Sequence, residues 1–144
     1  VGNGRERDRL IKRAEKEKLK NVLFLDPIPR RSLPQFLKIC DILFIGLQRQ
    51  PLFRFGISPN KILDYMMAGK PVIQAIDAGN DMVSDAKCGI SVKAENKDEL
   101  VAAIIEIIKL DEEKREELGQ NGKIYVMRNH NYEVLAEKML RIFN

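Results

Sequence analysis

The chain alternates short β-branched runs with longer stretches in which apolar positions recur every three or four residues, the pattern of a parallel sheet covered by helices. The short runs predict strands at Val22–Leu25, Ile42–Ile45, Val72–Ala75 and Ile90–Val92, with Val1 as the last residue of a further one. The periodic stretches predict helices at about Arg5–Lys18, Ser32–Ile39, Pro59–Ala68, Asp81–Ala86, Asp98–Lys109, Glu112–Arg128 and Tyr132–Ile142. The clearest carries Leu100, Val101, Ile104, Ile105 and Ile108 at i, i+1, i+4, i+5 and i+8, which predicts one buried face, with Asp98 or Asn96 available to cap its start. Gly69 followed by Pro71 predicts a left-handed helix stop before the strand at Val72. In an open parallel sheet, the loops leaving the carboxyl ends of the strands gather along one edge, where ligands bind. Here those loops are Gly2–Gly4, Asp26–Pro29, Gly46–Ser58 and Ile76–Asn80.

At 144 residues, with no internal repeat, low-complexity tract or Gly/Ser linker, the chain is expected to hold one domain, residues 1–144. A hydrophobic fraction of 44% beside 32% charged residues, at a net charge of +4, excludes disorder over most of the length. Apolar runs such as Ile42–Leu47 fall far short of the roughly 20 residues that span a bilayer. Two cysteines, Cys40 and Cys88, and one histidine leave neither a disulfide framework nor a multi-histidine metal site, so no metal is expected. His130, between Asn129 and Asn131, reads as a turn or cap. The basic residues of the first 20 positions are interleaved with Glu6, Asp8, Glu15 and Glu17, as on a solvated helix face, so no nucleic-acid partner is expected. Without an initial Met or an apolar leader, the sequence reads as a piece of a longer protein.

One stretch carries candidate chemistry. Between Asp41 and Asp64 there is no acidic residue, while Arg49, Arg54 and Lys61 are present. The stretch leads into a helix through Ser58-Pro59-Asn60-Lys61, with Ser58 expected as N-cap, Pro59 as first helical residue, and free backbone N–H groups facing outward. A lysine in that first turn opposes the helix dipole by some tenths of a kcal/mol, unless an anion binds at the same end. A phosphate or diphosphate would satisfy the N–H groups and Lys61 together, with Arg49 and Arg54 as further contacts. In the helix, Ile62, Leu63, Met66 and Met67 are expected to face the core, leaving Lys61, Asp64, Tyr65 and Ala68 on the other side. Asp64 could then accept two hydrogen bonds from a diol such as a ribose. The plain alternative is that Lys61 and Asp64 form a surface i, i+3 ion pair worth a few tenths of a kcal/mol.

The run Ser58-Pro59-Asn60-Lys61-Ile62-Leu63-Asp64-Tyr65-Met66-Met67-Ala68-Gly69-Lys70-Pro71-Val72-Ile73 resembles the signature of the glycosyltransferase group 1 family. Val1-Gly2-Asn3-Gly4, Val22–Leu25 with Ile28-Pro29, Cys40-Asp41-Ile42, Lys87–Ile90, Leu100–Ile108 and Tyr132–Ala136 extend the likeness over essentially the whole chain. The resemblance implies a Rossmann-like parallel sheet forming one half of a GT-B enzyme, here the carboxy-terminal, donor-binding domain without its first strand and helix. It implies retaining transfer of a sugar from a nucleoside-diphosphate sugar to a glycan or lipid-linked acceptor, in polysaccharide synthesis, with no separate cofactor. Backbone groups around Ile28 would hold the base, Ser58, Pro59, Asn60 and Lys61 would face the diphosphate or sugar, and Asp64 would hold the ribose. The family pattern has two acidic positions eight apart; the second is Asp64 and the first falls on Gly56. The acceptor would be held by an amino-terminal domain outside the chain, so the chain alone is expected to be inert. A cytoplasmic location is implied, with peripheral contact at the inner face of a membrane left open. Two alternatives remain: a non-catalytic module binding an anion or a partner, and half of a nucleotide-sugar epimerase.

Overall fold

A computed structural model describes residues 1–143. The chain divides into two compact units, Val1–Gln35 and the residues from Phe36 onward. In the first unit, α1 (Arg7–Lys16) has no fully buried residue and carries ion pairs along its polar side, Arg9 with Glu6 and Arg13 with Glu17 at 2.7 Å. Arg7 reaches Asp26 at 3.0 Å. Neither Val1 nor Val22–Leu25 forms a strand. Val22–Leu25 has β-branched and aromatic composition, yet its one link to the amino terminus is a single bond from the Gly2 N–H to the Leu25 carbonyl, 3.1 Å, and a lone bond is not a ladder.

The second unit holds a parallel sheet of β1 (Leu43–Gly46), β2 (Val72–Ala75) and β3 (Gly89–Val92), in the order β1-β2-β3. Leu43 lies opposite Val72 and Val72 opposite Gly89. The connections run through α3 (Asn60–Met67) and α4 (Met82–Ala86), preceded by α2 (Leu33–Lys38), which crosses the unit boundary, and followed by α5 (Lys97–Lys109), α6 (Glu112–Asn129) and α7 (Tyr132–Phe143). Every residue of the central strand β2 is buried, as expected for a strand covered on both faces. On one face Ile45, Val72 and Ile76 pack with Ile62 and Met66 of α3, Met82, Val83 and Ala86 of α4, Cys88, and Val126 of α6. On the other, Ile73 meets Ala103 and Ile107 of α5, with Ile42, Ile90, Val92, Leu100 and Ile104 around them.

The covering face of α5 differs from the expected one. Leu100 and Ile104 do face the sheet, but Val101, Ile105 and Ile108 are 54%, 46% and 61% exposed, and Ala103 and Ile107 take their place. The small side chain of Ala103 lets the helix approach Ile73 closely, which a row of isoleucines does not. Asn96, rather than Asp98, caps α5, its Oδ1 accepting from the N–H groups of Asp98 and Glu99 at 3.1 Å each. Gly69 takes a positive φ of 70° just past α3, and His130 stands at the carboxyl end of α6, as their sequence context predicts.

Candidate functional site

The loops after β1 and β2 leave the same edge of the sheet and are joined along their length. After β1, the Leu47 N–H still pairs with the Ala75 carbonyl at 3.1 Å. Arg49 Nε then meets Asp77 Oδ2 at 2.9 Å, the Gly79 N–H donates to the Phe53 carbonyl at 2.9 Å, and Asn80 pairs with both backbone polar groups of Ile57 at 2.8 and 2.9 Å. Within the β1 loop, Pro51–Phe55 form a 3₁₀ turn, which the sequence pattern did not predict. Gly56 follows with φ 94° and ψ 158°, a conformation open to glycine and costly for other residues.

The β2 loop that receives these links is itself anchored. Asp77 Oδ1 accepts from the Ala94 N–H at 2.9 Å. Asp81 caps α4, its carboxylate accepting from the N–H groups of Val83 and Ser84, the hydroxyls of Ser84 and Ser91, and Gln74 Nε2. Partial burial acts to raise the Asp81 pKa, but the bonds from Ser84, Ser91 and Val83 outweigh it and hold the carboxyl below the usual range. Gln74, the one buried polar residue of the described core, is satisfied through this carboxylate. The sequence pattern places Asp81 inside the helix, whereas it stands one position before the helix and caps it; Asp77 and Asn80 leave no local mark, because their partners are remote in the chain.

The β1 loop delivers α3. The helix begins at Asn60, with Pro59 as its N-cap residue and no side-chain cap, one position later than expected; Ser58 is exposed and stays outside. Proline has no capping oxygen, so this end lacks the acceptor that a serine would supply. The Ile62 N–H turns back to the Pro59 carbonyl at 3.0 Å. Ile62 and Met66 are fully buried, Leu63 and Tyr65 partly so, and burial raises the Tyr65 hydroxyl pKa, with the Asp64 charge adding to it. Met67, expected in the core stripe, is 41% exposed, whereas Tyr65, expected on the other side, packs against the core. Lys61 and Asp64 are exposed, and neither makes a salt bridge among the described residues, so the surface pair that would account for both is not formed.

Ser58, Pro59, Asn60, Lys61 and Asp64 are thus brought together at one helix start. Arg49 is held by Asp77, and Arg54 lies with its guanidinium 4.7 Å from the centre of the Phe55 ring. A cleft of about 620 Å³ between the two loops is lined by Gln50, Pro51, Arg54 and Ile76–Gly79. Ile28 belongs to the first unit, partly buried between two prolines. Among the described residues no cluster of His, Cys, Asp and Glu could hold a metal ion, and no helix is long and apolar enough to cross a membrane.

A parallel sheet covered by helices, with an uncapped helix start at its carboxyl edge, defines a Rossmann-like domain. The description of glycosyl transferases group 1 matches residues 1–125, and the chain belongs to that family. Among solved structures it is similar to sucrose-phosphate synthase from Thermosynechococcus elongatus, with 23% identity and a TM-score of 0.79, covering 97% of this chain and 34% of that one. It is also similar to HepE of Anabaena, solved in complex with UDP-glucose, with 24% identity and a TM-score of 0.63, covering 84% of this chain and 32% of that one. These likenesses establish the fold as GT-B in type. The chain spans about a third of the length of either neighbour. No curated protein matches it in sequence.

Proposed function

We propose that this chain is the carboxy-terminal, donor-binding part of a retaining glycosyltransferase that moves a sugar from a nucleoside-diphosphate sugar to a glycan or lipid-linked acceptor in polysaccharide assembly. The observation that carries the reading is the start of α3: an uncapped helix end, with Lys61 in its first turn and Asp64 one turn on, neither engaged by another described side chain. The backbone N–H groups of Asn60 and Lys61, with the Lys61 ammonium, receive the diphosphate oxygens. As the glycosidic bond loosens, negative charge grows on the leaving diphosphate, and these fixed donors stabilise it, an electrostatic role that needs no proton transfer. Asp64 accepts from the ribose hydroxyls. Arg54 is the better placed of the two loop arginines to assist, since Arg49 would have to share its charge with Asp77. The acceptor side is assigned to sequence outside this chain, and the base contact expected at Ile28 to the first unit by itself. Membership of the family and the nucleotide-sugar complex of the Anabaena neighbour support the choice of donor class.

Calorimetric titration of the chain with uridine, UMP and UDP tests the reading. Asp64→Ala is expected to weaken all three by about 1.5–3 kcal/mol, the range for hydrogen bonds to a charged group, with little salt dependence. Lys61→Ala is expected to weaken chiefly UDP, by an amount that shrinks as ionic strength rises. If both variants leave all three affinities at the parent values, α3 is plain scaffold and the donor site lies elsewhere.

A further inference from the structure

The segment between the 3₁₀ turn and α3 is seated by the Ile57 side chain, half-buried against the core, and by the fixed φ of Pro59, but neither pairs its backbone polar groups. Gly56 has a wide range of backbone conformations to choose from, and no side chain caps the helix that follows. The backbone of Ile57 is held by Asn80. Its Nδ2 donates to the Ile57 carbonyl at 2.9 Å while its Oδ1 accepts from the Ile57 N–H at 2.8 Å. One side chain thus satisfies both polar groups of one residue, as a neighbouring strand would. Only an amide of this length offers a donor and an acceptor side by side: aspartate has two acceptors, and serine a single oxygen.

Asn80 is fixed on both sides. The preceding Gly79 is bonded to Phe53 and pressed so close to the β1 loop that a Cβ there would lie 2.2 Å from the Arg54 carbonyl oxygen. The following Asp81 is held by five hydrogen bonds. Gly56 completes the fit, since a Cβ at that position would already stand 3.1 Å from Asn80 Oδ1. The frame therefore runs from the sheet through Asp81 to Asn80, from Asn80 to the Ile57 backbone, and from Ile57 over Ser58 and Pro59 to the first turn of α3.

Resting on the reading of that first turn as the diphosphate site, we infer that Asn80 is a positioning residue for the donor: through the backbone of Ile57 it sets the direction in which the N–H groups of Asn60 and Lys61 point. It acts without touching the donor. Hydrogen-bond donors aimed at a diphosphate lose their advantage when the supporting loop is free to wander, whereas contacts made farther along α3, at Asp64, are held by the buried Ile62 and Met66 and do not depend on the loop. The two parts of a nucleotide should therefore respond differently when Asn80 is changed.

The test uses the 144-residue chain, titrated with uridine and with UDP at raised ionic strength so that an added charge is screened. Asn80→Ala is expected to weaken UDP on the order of tenfold, the effect of one or two ordinary hydrogen bonds, and to leave uridine within about twofold. Asn80→Asp keeps an acceptor for the Ile57 N–H but loses the donor to its carbonyl, and is expected to fall between parent and Asn80→Ala. Amide hydrogen exchange at Ile57 should quicken in the same order. If Asn80→Ala fails to fold, the comparison of Asn80→Asp with the parent decides. Equal losses for uridine and UDP, or no loss for UDP in a folded variant, overturn the positioning role while leaving the site itself standing. A parent chain that binds neither ligand overturns the site reading, and this inference with it.

Discussion

Two cysteines in the same unit meet opposite surroundings. Cys88 is fully buried, with its carbonyl accepting from the Val72 N–H, and burial pushes its thiol up to about 12, with the charge of Asp81 adding to the rise. Cys40 is only partly buried, and its thiol donates weakly to the Phe36 carbonyl at 3.5 Å. A small neutral thiol reagent at about pH 8 should modify Cys40 and spare Cys88 until urea unfolds the chain, since the thiolate is the reactive form. Mass spectrometry of the labelled protein checks this; equal labelling in the folded state would mean that the packing around Cys88 opens readily. Gly56 shows a similar dependence of chemistry on position. Its φ of 94° makes any residue with a side chain a strained choice there. A Cβ at residue 56 would also crowd the amide that holds Ile57.

Helix α6 owes its seat to two glycines. A Cβ at Gly119 would lie 2.1 Å from the Gly69 carbonyl oxygen, and one at Gly122 would lie 3.1 Å from the Cys88 Cβ. Gly119→Ala gains up to about 1 kcal/mol in helix propensity. The clash is with backbone at the end of α3 and forces a helix to shift, which costs about 1–3 kcal/mol, so net destabilisation is expected. Urea unfolding with a lower midpoint and unchanged slope would show it; a stabilised variant would mean that α6 does not touch α3 as described. Such contacts mark the limit of what was legible in the sequence. The seven helices of the described residues and three of the predicted strands follow from hydrophobic period, and Gly69 and the cap at Asn96 or Asp98 from end signals. The face of α5 does not, because Leu100, Val101, Ala103, Ile104, Ile105, Ile107 and Ile108 surround most of the helix and period alone cannot choose among them. Val22–Leu25 has the composition of a strand, but pairing is decided by a partner. At the site, Lys61 and Asp64 emerge from spacing within one helix, whereas Arg49 with Asp77 and Ile57 with Asn80 are partners across two loops and leave no local mark.

For the molecule as a whole, acid is the informative perturbation. Asp81 ties β2, β3 and α4 through one carboxylate whose folded pKa is depressed, so its contribution is complete above the ordinary carboxylate range and is lost as pH falls below about 4 and through the folded value. His130 is also lowered, by burial and then by Lys138, so folding favours its neutral form; stability from this source is present above about pH 6.5 and declines as pH falls below that. Thermal melts from pH 8 to pH 3 should therefore lose midpoint in two steps. His130→Gln is expected to abolish the upper step and keep the lower; a single step below pH 4 in the parent would remove His130 from the account. The strand order carries a consequence for how the second unit is assembled. Its ladder partners Leu43 and Val72, then Val72 and Gly89, are separated by 29 and 17 positions, the lengths of the two crossovers. Closing the longer one costs only about 0.5 kcal/mol more in chain entropy. Loop length therefore imposes almost no sequence of events on folding, although both ladders are parallel and join residues distant in sequence, which slows the search. Which ladder nucleates is left to the side chains, with the contest falling on β2, the strand that both ladders share.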